Sequence, residues 1–189
     1  MLPINQLLQQ RRSVFPDQYN NEPVTKAFIE QLLENANWAP NHKHTEPWRF
    51  KVFHSEESKV QLGNFLAEKF KETSAEGKFS EFKYKKLQAN PVKAGAIIAI
   101  CMQKDPKQSL PEWEEVAATA MAVQNMYLTC TANGVGGYWS SPGLIKFMGE
   151  HIELNDGEEC LGFFYVGNYD GELPEGKRKP IADKTVWVK

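Results

Sequence analysis

Apolar positions recur at helical spacing in some stretches of this chain and at successive positions in others, and the two patterns lay out its elements. Ile4, Leu7 and Leu8 mark one face of a short helix reaching Arg11. Pro16 interrupts regular structure, so Arg12 to Pro23 reads as an extended loop. Thr25 is a candidate N-cap for a second helix, with Ile29, Leu32, Leu33 and Ala36 at i, i+3, i+4, i+7. Pro40 stops it, and Asn41 to Pro47 is polar loop. Arg49 to His54 alternates, with Phe50 and Val52 on one side, which predicts a strand. Ser55 is a cap for a third helix whose Leu62, Phe65 and Leu66 face inward. Lys71 to Gln88 is highly charged and reads as an exposed helix, with a flexible lid as the alternative.

Gly95 to Cys101 is apolar on both faces, the pattern of a central strand. Pro111 opens the longest helix, and Asn133-Gly134 closes it. Trp113, Val116, Ala117, Ala120, Met121, Val123, Tyr127 and Leu128 cover most of its circumference, so it must be buried on nearly all sides. In a chain of 189 residues, the core and a second copy together could supply that cover. Val135 to Trp139 is a glycine-rich strand, Leu144 to Met148 a short helix, and Cys160 to Val166 another buried strand. The remainder is loop-like. Without regular βαβ alternation, the mixture favours an α+β layered fold.

The length allows one domain with a substantial core, and the net charge of −2 provides no global field for nucleic acid or membrane. The longest apolar run, Ala94 to Met102, is far short of a bilayer span. The stretch Met1 to Gln6 lacks the cationic start and apolar core of a secretory leader. Cys101, Cys130 and Cys160 form no CxxC pair, and their odd, scattered set fits the reduced thiols of a cytoplasmic protein.

Four clusters could carry chemistry. Arg11-Arg12-Ser13 joins two guanidiniums to a hydroxyl, a set suited to a phosphate; the alternative is a helix C-terminus with cations opposing its dipole. In the loop after Pro40, His42 and His44 invite a metal, but HxH without a nearby third ligand is a weak signal, and no metal site is expected. Gly134 to Gly143 has several glycines in neither nucleotide-binding order. It reads either as a relaxed strand and turn or as backbone brought close to a flat ligand. Lys177-Arg178-Lys179-Pro180 is a basic cluster that is ordinarily solvated surface. In Phe79 to Lys86 aromatic and basic residues interleave, but Glu72, Glu76 and Glu81 lie close by, so a solvated helix face is favoured over nucleic-acid binding. No Ser/His/Asp set, GxSxG or HExxH is present.

In this order the pieces resemble the nitroreductase family. The resemblance rests on Arg11-Arg12-Ser13, on Ala39-Pro40 through Glu46-Pro47-Trp48, and on Gly136-Gly137-Tyr138-Trp139-Ser140-Ser141. Gly162 to Gly167 and Arg178-Lys179-Pro180 complete it, so the landmarks span nearly the whole chain. The short length and His42 are similar to a small bacterial subgroup. Glu46 stands where the family has Gln, and His44 where it frequently has Asn.

The resemblance implies one FMN-binding domain over residues 1–189, with a central mixed β-sheet flanked by helices, working as a homodimer. It implies FMN held non-covalently between subunits: Arg11, Ser13, Lys177 and Arg178 on the phosphate, Arg12 toward the pyrimidine edge, and Trp139, Ser140 and Ser141 beside the ring. Pro40, Asn41 and His42 would come from the partner and cover the ring. NAD(P)H would reduce the flavin and leave, and a nitroaromatic, quinone or similar small oxidant would then take the electrons in a ping-pong cycle. The cofactor carries that chemistry, so no catalytic side chain is expected. A carboxylate at Glu46 would oppose an electron-rich reduced ring unless paired or turned away. The rival readings are a non-enzymatic flavin or nucleotide carrier using the same cleft, and a scaffold that has lost its cofactor.

Overall fold

The computed structural model describes residues 3–188; Met1 and Leu2, part of the stretch read above for a leader, and Lys189 lie outside it. Helices α1 (Ile4–Gln10), α2 (Lys26–Asn37), α3 (Glu56–Thr73), α4 (Glu81–Lys93) and α5 (Glu112–Ala132) accompany strands β1 (Trp48–Phe53), β2 (Ala96–Gln103), β3 (Gly136–Ser140) and β4 (Glu158–Gly167). Short 3₁₀ turns cover Pro16–Gln18, Gly143–Glu150 and Ile181–Lys184. The Leu144–Met148 helix is thus 3₁₀ rather than α, and Pro16 opens a turn inside the segment read as loop.

The strands form one sheet in the order β1-β2-β4-β3. Every pairing is antiparallel, which corrects the mixed sheet expected above. The α+β layering holds. β2 is central, and its successive residues serve opposite faces. Ala96, Ile98 and Ile100 pack with Phe164 and Val166 under α2 and α5. Ile97, Ala99 and Cys101 pack with Phe163 and Tyr165 under α3 and the Gly143–Glu150 turn. Burying each of the three isoleucines contributes about 2 kcal/mol. This two-sided burial explains why the strand shows no alternation in sequence. On the edge strand β1, Phe50 packs inward but Val52 is exposed.

The caps behave as their side chains dictate. Thr25 accepts the Phe28 N–H and Ser55 the Ser58 N–H. α5 ends at Asn133, followed by Gly134 at φ 68°. Helix α4 lies along α3, where Gly63 removes the side chain that would otherwise strike the Gln88 carbonyl. All three cysteines are free thiols in the core.

Candidate functional site

The segment following α1 is pinned to the sheet by Tyr19. Its buried hydroxyl donates to the carbonyls of Val14 (2.9 Å) and Tyr165 (3.2 Å). Gly136 and Gly167 make room for the Tyr19 ring; a Cβ on Gly167 would lie 2.5 Å from it. The Val14 N–H then donates to the Gly137 carbonyl at 3.1 Å, laying Arg11 to Val14 beside β3.

On this frame four groups converge on Tyr127 of α5. The Trp139 backbone N–H donates to the Tyr127 hydroxyl at 2.8 Å, and Ser13 Oγ lies 3.4 Å from the same oxygen. The Arg11 guanidinium sits over the Tyr127 ring, 5.1 Å from its centre, and Phe164 meets that ring edge-on. The indole Nε1 of Trp139 is buried without a hydrogen-bond partner. The indole packs against Gly162, where a Cβ would lie 2.3 Å from Nε1 and where φ is 151°. A side chain at residue 162 would displace Trp139.

Arg12 points elsewhere. Its Nε donates to the Pro174 carbonyl at 2.9 Å, and one terminal nitrogen donates to the carbonyls of Gln9 and Arg11. Its guanidinium presses on Gly176, where a Cβ would lie 2.2 Å away. Arg12 therefore ties the chain after β4, which leads directly into Lys177 and Arg178, to the end of α1. A cleft of about 950 Å³ opens there, lined by Leu8, Arg12, Val14, Tyr169, Leu173 and Arg178 among others. None of the ion pairs among the described residues includes Arg11, Arg12, Lys177 or Arg178.

The loop after Pro40 is constrained and distant. Lys43, His44 and Glu46 have φ of 52°, 55° and 43°, a left-handed cluster that non-glycine residues adopt at a cost. Asn41 Oδ1 braces it by accepting the Glu46 N–H at 3.1 Å. His42 Nδ1 lies 2.6 Å from a Glu114 carboxylate oxygen, and Lys43 Nζ donates to the Ser109 carbonyl. Among the described residues, no three metal-ligating side chains cluster here or elsewhere. Glu114 and Tyr127 are thirteen residues apart on α5, so at 1.5 Å per residue the carboxylate that holds His42 stands on a residue about 20 Å from Tyr127 along the helix axis.

The nitroreductase family model matches residues 8–168. A Bacillus subtilis (strain 168) protein named "Putative NAD(P)H nitroreductase YfhC" is 30% identical over 184 residues, covering 96% of this chain and 92% of that protein. The chain belongs to the nitroreductase family. Among solved nitroreductase folds, a nitroreductase-like family protein from Bacillus cereus superposes with a TM-score of 0.83 at 29% identity, covering 100% of this chain and 97% of that one. A Desulfovibrio desulfuricans protein described as a putative nitroreductase in complex with FMN gives 0.75 at 21% identity, covering 100% and 98%.

Within this chain, the residues expected at the site fall into three groups. Arg11, Ser13 and Trp139 meet at Tyr127, and Ser140 follows at the end of β3. Arg12 meets the segment carrying Lys177 and Arg178, both exposed. His42 is held at the opposite end of α5 by Glu114, with Pro40 and Asn41 preceding it in the loop after α2, and Ser141 is exposed beyond β3. Two residues of the site carry no motif in the sequence: Tyr127, one of the residues covering the circumference of α5, and Glu114, which holds His42. A hydroxyl on a mostly apolar helix was the one available signal for Tyr127.

Proposed function

We propose that this chain is an FMN-dependent NAD(P)H oxidoreductase, active as a cytoplasmic homodimer with a flavin site at each subunit contact. The reading rests chiefly on one observation. Two basic segments more than 160 residues apart are joined by the Arg12–Pro174 hydrogen bond, and among the described residues their cations pair with no carboxylate. Such a set fits an anion that accepts hydrogen bonds without donating, as a phosphate does. Arg11, Ser13, Lys177 and Arg178 would hold the phosphate. Ser140 at the end of β3 and the exposed Ser141 after it bring backbone and hydroxyl groups that suit a flat heteroaromatic ring with acceptor atoms along its edge. Arg12 commits two of its three nitrogens to carbonyls and packs the third on Gly176, so its part is to hold the segment carrying Lys177 and Arg178 at the site.

When bound, FMN supplies the hydride and electron chemistry of a ping-pong cycle between NAD(P)H and a nitroaromatic, quinone or similar small oxidant. The chain's part is to neutralise the phosphate, orient the ring and cover it. His42 is held by Glu114, about 20 Å along the α5 axis from Tyr127, so within one subunit it stands away from the ring. A second copy would supply the loop from Pro40 to His42. The exposed apolar groups support that assembly: Trp38 is 80% exposed, Trp113 68% and Trp187 87%. Trp113, Met121 and the half-buried Ala117, Ala120 and Leu128 form a stripe along α5. Such stripes are unusual on a monomer's surface.

The test is the visible spectrum of the purified protein, before and after anaerobic NADH or NADPH. Oxidised flavin absorbance that bleaches with the reductant, and returns on adding a quinone, is expected. A flavin that stays oxidised would identify a carrier. A colourless protein that refuses added FMN would end the proposal.

A further inference from the structure

We infer that Tyr127 is the positioning residue that aims the Ser13 hydroxyl at the cofactor's phosphate, by relaying a hydrogen-bond direction from the Trp139 backbone. The inference rests on the FMN reading above. It begins from donor and acceptor counting. A tyrosine hydroxyl has one proton and can accept, and a serine hydroxyl likewise. The Trp139 N–H can only donate, and it donates to Tyr127 Oη at 2.8 Å. That fills an acceptor position on Tyr127 and leaves its own proton free. The neighbouring polar atom is Ser13 Oγ at 3.4 Å. If Tyr127 donates to Ser13, the serine proton must point away from Tyr127. A phosphate dianion only accepts, so it completes the chain in one sense: Trp139 N–H to Tyr127 O–H to Ser13 O–H to phosphate. Each link polarises the next.

The Tyr127 ring has a second, separable role. The Arg11 guanidinium lies over it at 5.1 Å, and among the described residues that guanidinium makes no hydrogen bond or ion pair. The ring holds Arg11 beside Ser13 without consuming its donors. The edge-on contact of Phe164, a fully buried residue of β4, fixes the ring itself. One side chain thus sets the direction of a hydroxyl and the place of a guanidinium, both of which the phosphate needs.

The two roles separate by substitution. Tyr127→Phe keeps the ring and removes the relay; Tyr127→Leu removes both. The experiment titrates apoprotein with FMN and, in parallel, with riboflavin, which carries the same ring without the phosphate. Tyr127→Phe should weaken FMN about tenfold and leave riboflavin within about twofold. Tyr127→Leu should weaken FMN further. Ser13→Ala combined with Tyr127→Phe should be no worse than the poorer single variant, because both break one chain. Equal losses for FMN and riboflavin, or additive effects in the double variant, would show that Tyr127 only packs, and the inference would fail. Wild-type apoprotein that binds neither ligand would instead sink the functional reading, so the two failures are distinguishable.

Discussion

Arg11 and Arg12 are identical in chemistry and adjacent in sequence, yet they do different things. Arg11 keeps its donors free over an aromatic face, while Arg12 spends two nitrogens on carbonyls. The Arg-Arg-Ser pattern was legible as a phosphate motif, but the division of labour was not, because it depends on Pro174 and Tyr127, more than a hundred residues away. Arg11→Ala should therefore weaken FMN roughly ten- to hundredfold, the range for a charge-assisted hydrogen bond. Denaturation of the apoprotein should barely move. A shifted denaturation midpoint with unchanged flavin affinity would return Arg11 to a helix-end surface role. His151 offers a prediction about stability. It stacks between Phe53 and Phe65, and burial lowers its pKa below the ordinary 6.5. The folded state thus holds this proton less tightly than the unfolded chain. The stability His151 contributes is present above pH 6.5 and is lost as pH falls through the lowered value. His151→Phe should flatten the fall in denaturation midpoint on mild acidification; a wild-type-like slope would refute this.

The charged stretch from Lys71 to Gln88 shows how an element can be half legible. Its composition announced exposure, and most of it is helical and exposed. The sequence could not show that it turns near Gly77 and returns as α4 along α3. That packing rests on Phe70, Phe79 and Tyr84, on a Gln88–Asn64 hydrogen bond and on the close approach at Gly63. The segment is a packed hairpin. Replacing Gly63 by Ala sets a helix-propensity gain of about 1 kcal/mol against an overpacking cost of about 1–3 kcal/mol. The Cβ would lie 2.6 Å from the Gln88 carbonyl oxygen, which is backbone and cannot rotate away. The steric cost should win, lowering the denaturation midpoint. Gln88→Ala should not rescue the variant, because that carbonyl remains; rescue would overturn the explanation.

At the scale of the whole molecule, α5 is the organising element. One side buries Ala118, Ala122, Val123, Met126 and Cys130 against the sheet; the other leaves Trp113 and Met121 exposed. If a second copy covers that face and contributes Pro40 to His42, dimerisation and flavin binding must fail together. Light scattering of the wild type should give twice the 21.5 kDa chain mass. Met121→Arg places a charge in the stripe and should yield a folded monomer with much weaker FMN affinity. A monomeric variant that keeps wild-type affinity would disprove the shared site.

Local chemistry was enough to determine the types of the long helices and the strands, though not the short 3₁₀ turns. Caps at Thr25 and Ser55, the stop at Asn133-Gly134 and the unbroken apolar run of β2 each act within a few residues, where one sequence contains all the information. Motif order was likewise enough for the family. Only the tertiary structure decided the antiparallel order β1-β2-β4-β3, since apolar strands carry no mark of direction. It alone joined Arg12 to Pro174, and it alone put Ser13, Trp139 and Arg11 around Tyr127. Those contacts depend on distances between residues that the chain keeps far apart, and such distances exist only once the core has packed.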